Sequence, residues 1–309
     1  MDNMKHILKK KLTLFLPLTM LVYCGQTMPE FNADSSFAFL EKQVEFGPRN
    51  PGSMGHKQCS EWLVLELKKY AGRVLEQNFT HRDPRLDTTI QMTNIVASFN
   101  LNAGKRIILC AHWDTRPRAD KDIPENRDKP ILGANDGASG VAVLLEIARL
   151  MKNSPPPIGV DIVLFDGEDY GPEGVHEEYF LGASYFVKNM GQYKPLYGIL
   201  LDMVGDAQLN LPIEYQSGRY AAQVVEKIWS AAEELGYKQF ERRTGTPVND
   251  DHVKLIEAGI PTVDIIDFEY PDETHKYWHT LHDTVDKCSP QSLKAVGQTV
   301  LSVVYSEES

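Results

Sequence analysis

Arg106-Ile107-Ile108-Leu109-Cys110-Ala111-His112-Trp113-Asp114 decides how the chain is read. An almost unbroken apolar run, too short for a typical helix, passes without a spacer into a histidine and an aspartate. Such runs suit central strands covered on both faces, where alternation with polar residues is not needed. Similar runs stand at 160–165, 196–201 and 262–266. Stretches of helical character separate them, at 138–151, 182–190, 220–235 and 253–258. Upstream, 34–46 reads as a helix stopped by Gly47-Pro48, and Ser53 caps a second over 54–70 that Gly72 closes. Residues 74–80 and 89–99 alternate like strands with one solvated face. A last helix starts at Ser289-Pro290 and runs to about 305. Strands alternating with helices predict a three-layer α/β/α sandwich around a mostly parallel, mixed sheet. In such folds the site lies beyond the carboxyl ends of the strands, so the residues just after each apolar run carry the functional information.

Those residues are chemically loaded. His112-Trp113-Asp114 follows the first run, and Gly133-Ala134-Asn135-Asp136-Gly137-Ala138-Ser139-Gly140 leads into a helix. The run ending at Phe165 meets Asp166-Gly167-Glu168-Asp169, and the one ending at Leu201 meets Asp202. Asn249-Asp250-Asp251-His252 opens another helix, and Trp278-His279-Thr280 stands near the end. Taken singly, Asp136 or Asp250 reads as a helix cap, Gly167 as part of a turn, and His279 as a surface histidine. Together, at one sheet end, they form a set of His, Asp and Glu without thiolate, a donor set that zinc accepts.

The remaining composition narrows the classes. With 309 residues, 42% hydrophobic and 24% charged, the chain can bury a full core. A formal charge of −11 speaks against a nucleic-acid partner and is compatible with cationic peptide N-termini. At the start, Lys5, Lys9, Lys10 and Lys11 precede an apolar run over 12–22, the pattern of a secretory signal and too short to span a bilayer comfortably. Leu21-Val22-Tyr23-Cys24 resembles a bacterial lipoprotein cleavage box, apart from the bulky Tyr23. The expectation is a signal over 1–24, membrane attachment through a lipidated Cys24, and a single catalytic domain over 25–309 in the periplasm or on a membrane outside the cytoplasm. Cys59, Cys110 and Cys288 stand at irregular spacings with no Cys-x-x-Cys pair, which excludes a disulfide framework and a cysteine–zinc site; buried free thiols are expected.

In order and content, the His-x-Asp, Gly-Ala-Asn-Asp-Gly-Ala-Ser-Gly and Asp-Gly-Glu-Asp segments, the post-strand aspartate and the late histidine resemble the zinc aminopeptidase superfamily. Within it, Trp278 directly before His279, the paired Asp250-Asp251 before His252, and Asp202 in Leu-Leu-Asp-Met-Val-Gly look like the glutaminyl-peptide cyclotransferases of the bacterial branch with the animal-type fold. The resemblance implies one zinc held by Asp136, Asp169 and His279, with Glu168 as general acid/base. It also implies Asp202 and Asp250 as a hydrogen-bonded acid network and Trp278 as a wall of the substrate pocket. The implied substrates are peptides and proteins with N-terminal glutamine. Asp169 stands where the animal enzymes have Glu, and Asp264 where they have His. Two other readings compete. A two-zinc aminopeptidase would use His112, Asp136 and Asp202 for its second metal, and a non-catalytic binding domain would retain the fold while losing ligands, which this chain keeps.

Overall fold

The apolar runs become the middle of one sheet. The computed structural model describes residues 28–308, so the signal and lipidation expectations for 1–24 lie outside the described residues. Strands β1 (Arg73–Asp83), β2 (Thr88–Phe99), β3 (Arg106–His112), β4 (Gly159–Phe165), β5 (Gly198–Asp202) and β8 (Thr262–Ile266) form a six-stranded sheet in the order β1-β2-β4-β3-β5-β8. β4, β3, β5 and β8 run parallel, and β2 is antiparallel to both its neighbours. The sheet is mixed and mostly parallel, as expected. Its parallel part has helices on both faces because every strand there is buried along nearly its whole length.

The period-2 geometry of a strand divides the apolar runs between two cores. Ile107, Leu109 and Ala111 face one layer with Ile162, Leu164, Ile199 and Leu201. That layer holds α1 (Ala33–Val44), α2 (Met54–Lys68), α3 (Ala138–Asn153), α6 (Ala222–Leu235) and α8 (Pro290–Ser306). Ile108, Cys110, Val163, Phe165 and Leu200 face the other, against α4 (Leu181–Asn189) and α7 (Asp251–Glu257). The caps match the local chemistry. Ser53 accepts from the His56 N–H at 3.0 Å, and Ser289 accepts from Gln291 ahead of Pro290.

Two elements go beyond the expectations. The helix read over 220–235 is α6, and a short α5 (Tyr215–Tyr220) that no apolar period announces precedes it, separated from it by Ala221 at φ −132°. A small second sheet of β6 (Leu211–Ile213) and β7 (Phe240–Thr244) was not anticipated; Phe-Glu-Arg-Arg-Thr is exposed after its first residue and carries no apolar period. Cys59, Cys110 and Cys288 are free and buried. Among the described residues, no helix is long and apolar enough to cross a membrane.

Candidate active site

The carboxyl ends of β3, β4, β5 and β8 bring the charged segments together. His112 closes β3, Asp202 closes β5, and Glu168 and Asp169 follow β4. Asp250 caps α7, accepting the Asp251 N–H at 2.5 Å, and His279 lies in the loop after β8. Asp136 enters from the turn before α3. An added Cβ at Gly140 would stand 2.1 Å from the Leu201 carbonyl oxygen, so only glycine lets α3 start this close to β5. That approach places Asp136 between His112 and His279. Asp136, Glu168, Asp169, Asp202, Asp250, Trp278 and His279 all line one cavity of about 250 Å³.

Within it, His279 Nε2 is 3.6 Å from Asp136 Oδ2 and 3.4 Å from Asp169 Oδ2. The Asp169 oxygen is buried without a hydrogen-bond partner. One atom from each of these residues lies within 4.8 Å of the others. Two carboxylate oxygens, one of them that orphan, and one imidazole nitrogen fit a zinc with three protein ligands and an open position. Burial pushes Asp169 up to about 6, with Arg116 and His279 opposing. Asp136 is held below the usual carboxylate range, because His112, His279 and Arg116 outweigh its burial.

A second constellation adjoins the first. His112 Nε2 stands 3.3 Å from Asp136 Oδ1 and 3.1 Å from Asp202 Oδ1, and Nδ1 is 3.6 Å from Asp114. Asp136 thus turns one oxygen to each histidine. His112, Asp136 and Asp202 also meet the distance requirement for a metal, as do Asp250, His252 and Asp264 deeper in the fold. Asp202 and Asp250 share the cavity wall without a direct hydrogen bond. Asp250 gives one oxygen to its capping bond, and its Oδ2 has no partner. Burial, Asp202 and Asp251 push Asp250 well up, while Asp202 is raised by burial against the pull of His112. Glu168 rises well above the carboxylate range through burial and the neighbouring Asp169.

Trp278 is half-buried, stacked on His279 with ring centres 3.9 Å apart, and meets Phe268 edge-on at 5.1 Å. His279 itself sits at φ +54°, in the left-handed region. Sequence reasoning singled out Asp114 in the His-x-Asp segment without a role and missed three other supports. Asp283 accepts the N–H groups of Asn135 and Asp136 and the Tyr270 hydroxyl, which holds the Asp136 turn. Asp114 accepts the Glu168 and Asp169 N–H groups. Arg116 pairs with Asp169 and Asp120, and Asp120 faces His279. A charged residue just past a ligand segment is the only sequence signal any of them carries.

Residues 94–304 of this chain match peptidase family M28. The chain belongs to that family. Among solved M28-like structures, a glutaminyl cyclase of Bacteroides thetaiotaomicron bound to N-acetylhistamine is 41% identical, covering 91% of this chain and 100% of its own, with a TM-score of 0.87. A leucine aminopeptidase precursor of the same species is 42% identical over 91% of this chain and 99% of its own, also at 0.87. The glutaminyl-peptide cyclotransferase of Bos taurus is 24% identical over 78% of this chain and 72% of its own length. An aminopeptidase of Bacillus subtilis is 26% identical over 84% of this chain, which spans about half (54%) of that protein. Zinc is the metal that the M28 family and a zinc-dependent exopeptidase of Parabacteroides distasonis point to, and the donor set here accepts it.

Proposed function

We propose that this M28 chain is a glutaminyl-peptide cyclotransferase, converting the N-terminal glutamine of peptides to pyroglutamate with release of ammonia, on one zinc. The observation that carries this over hydrolysis is the shape of the cavity: Trp278 stacked on the ligand His279, with Asp250 on the wall beside Glu168 and Asp202. An aminopeptidase needs room for a water, a scissile bond and a departing chain. A cyclase needs a small apolar wall that folds one side chain back on its own amine, and the reaction is then intramolecular.

Trp278 and Phe268 supply that wall. Glu168, its carboxyl held above the usual carboxylate range by burial and by Asp169, is the proton carrier. It takes one from the α-amine as the nitrogen bonds to the γ-amide carbon, and returns one to the amide nitrogen as the carbon–nitrogen bond breaks and ammonia leaves. Bound zinc would supply polarisation of the amide carbonyl and stabilise its developing negative charge. Asp136, Asp169 and His279 would hold it. Asp202 and Asp250 line the same wall, and Asp250, with the nearer Asp169, adds to the negative charge that Glu168 feels.

A second reading has its own observation, the convergence of His112, Asp136 and Asp202 on a second metal position, as a two-zinc aminopeptidase requires. Incubation with Gln-β-naphthylamide and with a leucine anilide separates them. Cyclisation with ammonia release from the first and no cleavage of the second is expected. Cleavage of the anilide without cyclisation would reverse the assignment, and inertness toward both would favour a binding domain.

Peptides and proteins with N-terminal glutamine are the proposed partners, outside the cytoplasm, because the lysine-flanked apolar run over 12–22 reads as an export signal. Attachment of the mature protein to a membrane through Cys24 is tested by Cys24→Ser. An unchanged membrane-bound fraction would sink the anchor.

A further inference from the structure

Arg116 is one of the largest fully buried side chains, and its guanidinium serves two carboxylates at once. Nη1 binds Asp169 Oδ1, Nε donates to Asp120 Oδ1 at 3.0 Å, and Nη2 donates to Asp120 Oδ2 at 2.6 Å and to the Tyr179 hydroxyl at 2.9 Å. Asp120 Oδ1 in turn faces His279 Nδ1 at 3.4 Å, a contact outside hydrogen-bond geometry. The other nearby guanidinium, Arg118, is spent on the Tyr170 and Gly171 carbonyls.

We infer that Arg116 and Asp120 form a clamp that positions two of the three zinc ligands and keeps Asp169 a one-oxygen ligand. Arg116 occupies Oδ1 of Asp169, so only Oδ2 is left to face His279 Nε2 and the metal position. A planar fork does this better than an ammonium, because it fixes direction as well as charge. Asp120, held by both of its oxygens, sits on the far nitrogen of His279 and favours the tautomer whose Nε2 lone pair points at the metal. The charges also close: the carboxylates of Asp120, Asp136 and Asp169 are balanced by one guanidinium and one dication. A short aspartate is thereby made to act at a defined distance, with the open position left for substrate. Both are positioning residues: they reach the cavity wall and act on the metal position through Asp169 and His279.

The inference rests on the zinc reading of Asp136, Asp169 and His279, and its test reads metal directly. Zinc affinity is measured by chelator competition for the parent, Arg116→Met, Arg116→Lys and Asp120→Asn, with thermal melts as the folding control. Cobalt(II) is then loaded in place of zinc and its visible absorption recorded. Loss of an outer partner typically costs ~10–100-fold in metal affinity. Arg116→Met is expected to lose at least ~10-fold, and its cobalt bands should weaken as the freed Oδ1 joins the metal and raises the coordination number. Arg116→Lys should recover part of the affinity but not the parent's band shape. Asp120→Asn, nearly isosteric, should lose ~10-fold with little change in melting.

Parent affinity and an unchanged cobalt spectrum in Arg116→Met would overturn the clamp. If that variant does not fold, Asp120→Asn decides, and an affinity within twofold of the parent overturns it. Zinc affinity in Asp136→Ala equal to the parent's removes the metal reading, and the clamp with it. Parent protein that binds zinc through Asp136 but fails to cyclise glutamine removes the cyclase reading alone.

Discussion

Gly137→Ala is the most direct probe of how tightly the Asp136 turn is set against β3. A Cβ added there would stand 2.5 Å from Cε1 and Nε2 of His112 and 2.7 Å from Nδ1, whereas ordinary contact begins near 3.4 Å. The imidazole cannot retreat. It is buried, its Nε2 lies 3.1 Å from Asp202 and 3.3 Å from Asp136, and its Nδ1 faces Asp114 at 3.6 Å. The overlap of nearly an ångström must therefore move the turn, and Asp136 with it. Overpacking of this kind costs about 1–3 kcal/mol. At the middle of that range the melting temperature falls by ~3–4 °C in a domain of this size. The displaced Asp136 should also weaken zinc by ~10-fold, as loss of ligand positioning does. The assay pairs calorimetric melting with chelator competition. Gly104→Ala is the control, since nothing lies within 4 Å of a Cβ at that exposed position. If Gly137→Ala melts and binds zinc like the Gly104→Ala control, His112 is not fixed as described and the reasoning fails.

Glu168→Gln should lower cyclisation ~100-fold or more at parent zinc content, because the amide still fills the space but cannot carry a proton; activity within a few-fold of the parent would remove Glu168 from the proton path. Asp250→Asn keeps the cap on α7, since Asn caps as well as Asp, yet should cost ~100-fold in turnover; near-parent kinetics with an unchanged circular dichroism spectrum would make Asp250 a cap and nothing more. Metal analysis of active protein should return one zinc per chain. Two fully occupied positions, with activity falling as the weaker is stripped, would move the assignment to the aminopeptidase. Burial pushes Asp267 up to about 7, with the Asn210 N–H opposing. The folded chain then holds a proton between about pH 4 and 7 that the unfolded chain has released, so this group disfavours folding as pH rises through that window. Asp267→Asn should therefore melt above the parent at pH 8, with the gap narrowing as pH falls and closing only at about pH 4, where the unfolded carboxyl is protonated too; a gap independent of pH would refute the assignment.

By itself the sequence determined the layered fold and the end of the sheet that carries the chemistry. Period decides these. Unbroken apolar runs such as Ile107–Ala111 are stable only as strands covered on both faces, and a polar residue at the end of such a run has only the carboxyl edge to occupy. His112, Asp202 and the Glu168–Asp169 pair were legible for that reason, as were the Ser53 and Ser289 caps. The small sheet of β6 and β7 was not, because exposed strands lack an apolar period. Neither was the short α5, whose six residues are too few to show a helical period.

Only the tertiary structure decided which carboxylates meet which histidine. Asp136 divides its oxygens between His112 and His279, while Asp202 and Asp250 share a wall without a direct hydrogen bond. Arg116, Asp120 and Asp283 entered the site only through folding, and Asp114 gained its partners, the Glu168 and Asp169 N–H groups, only there. Their partners lie up to 148 residues away in the chain, and no local spacing encodes a contact over that separation. Propensity and period act between neighbours a few residues apart. Charge pairing inside a cavity acts through space, and it depends on how closely α3 is allowed to approach β5 at Gly140.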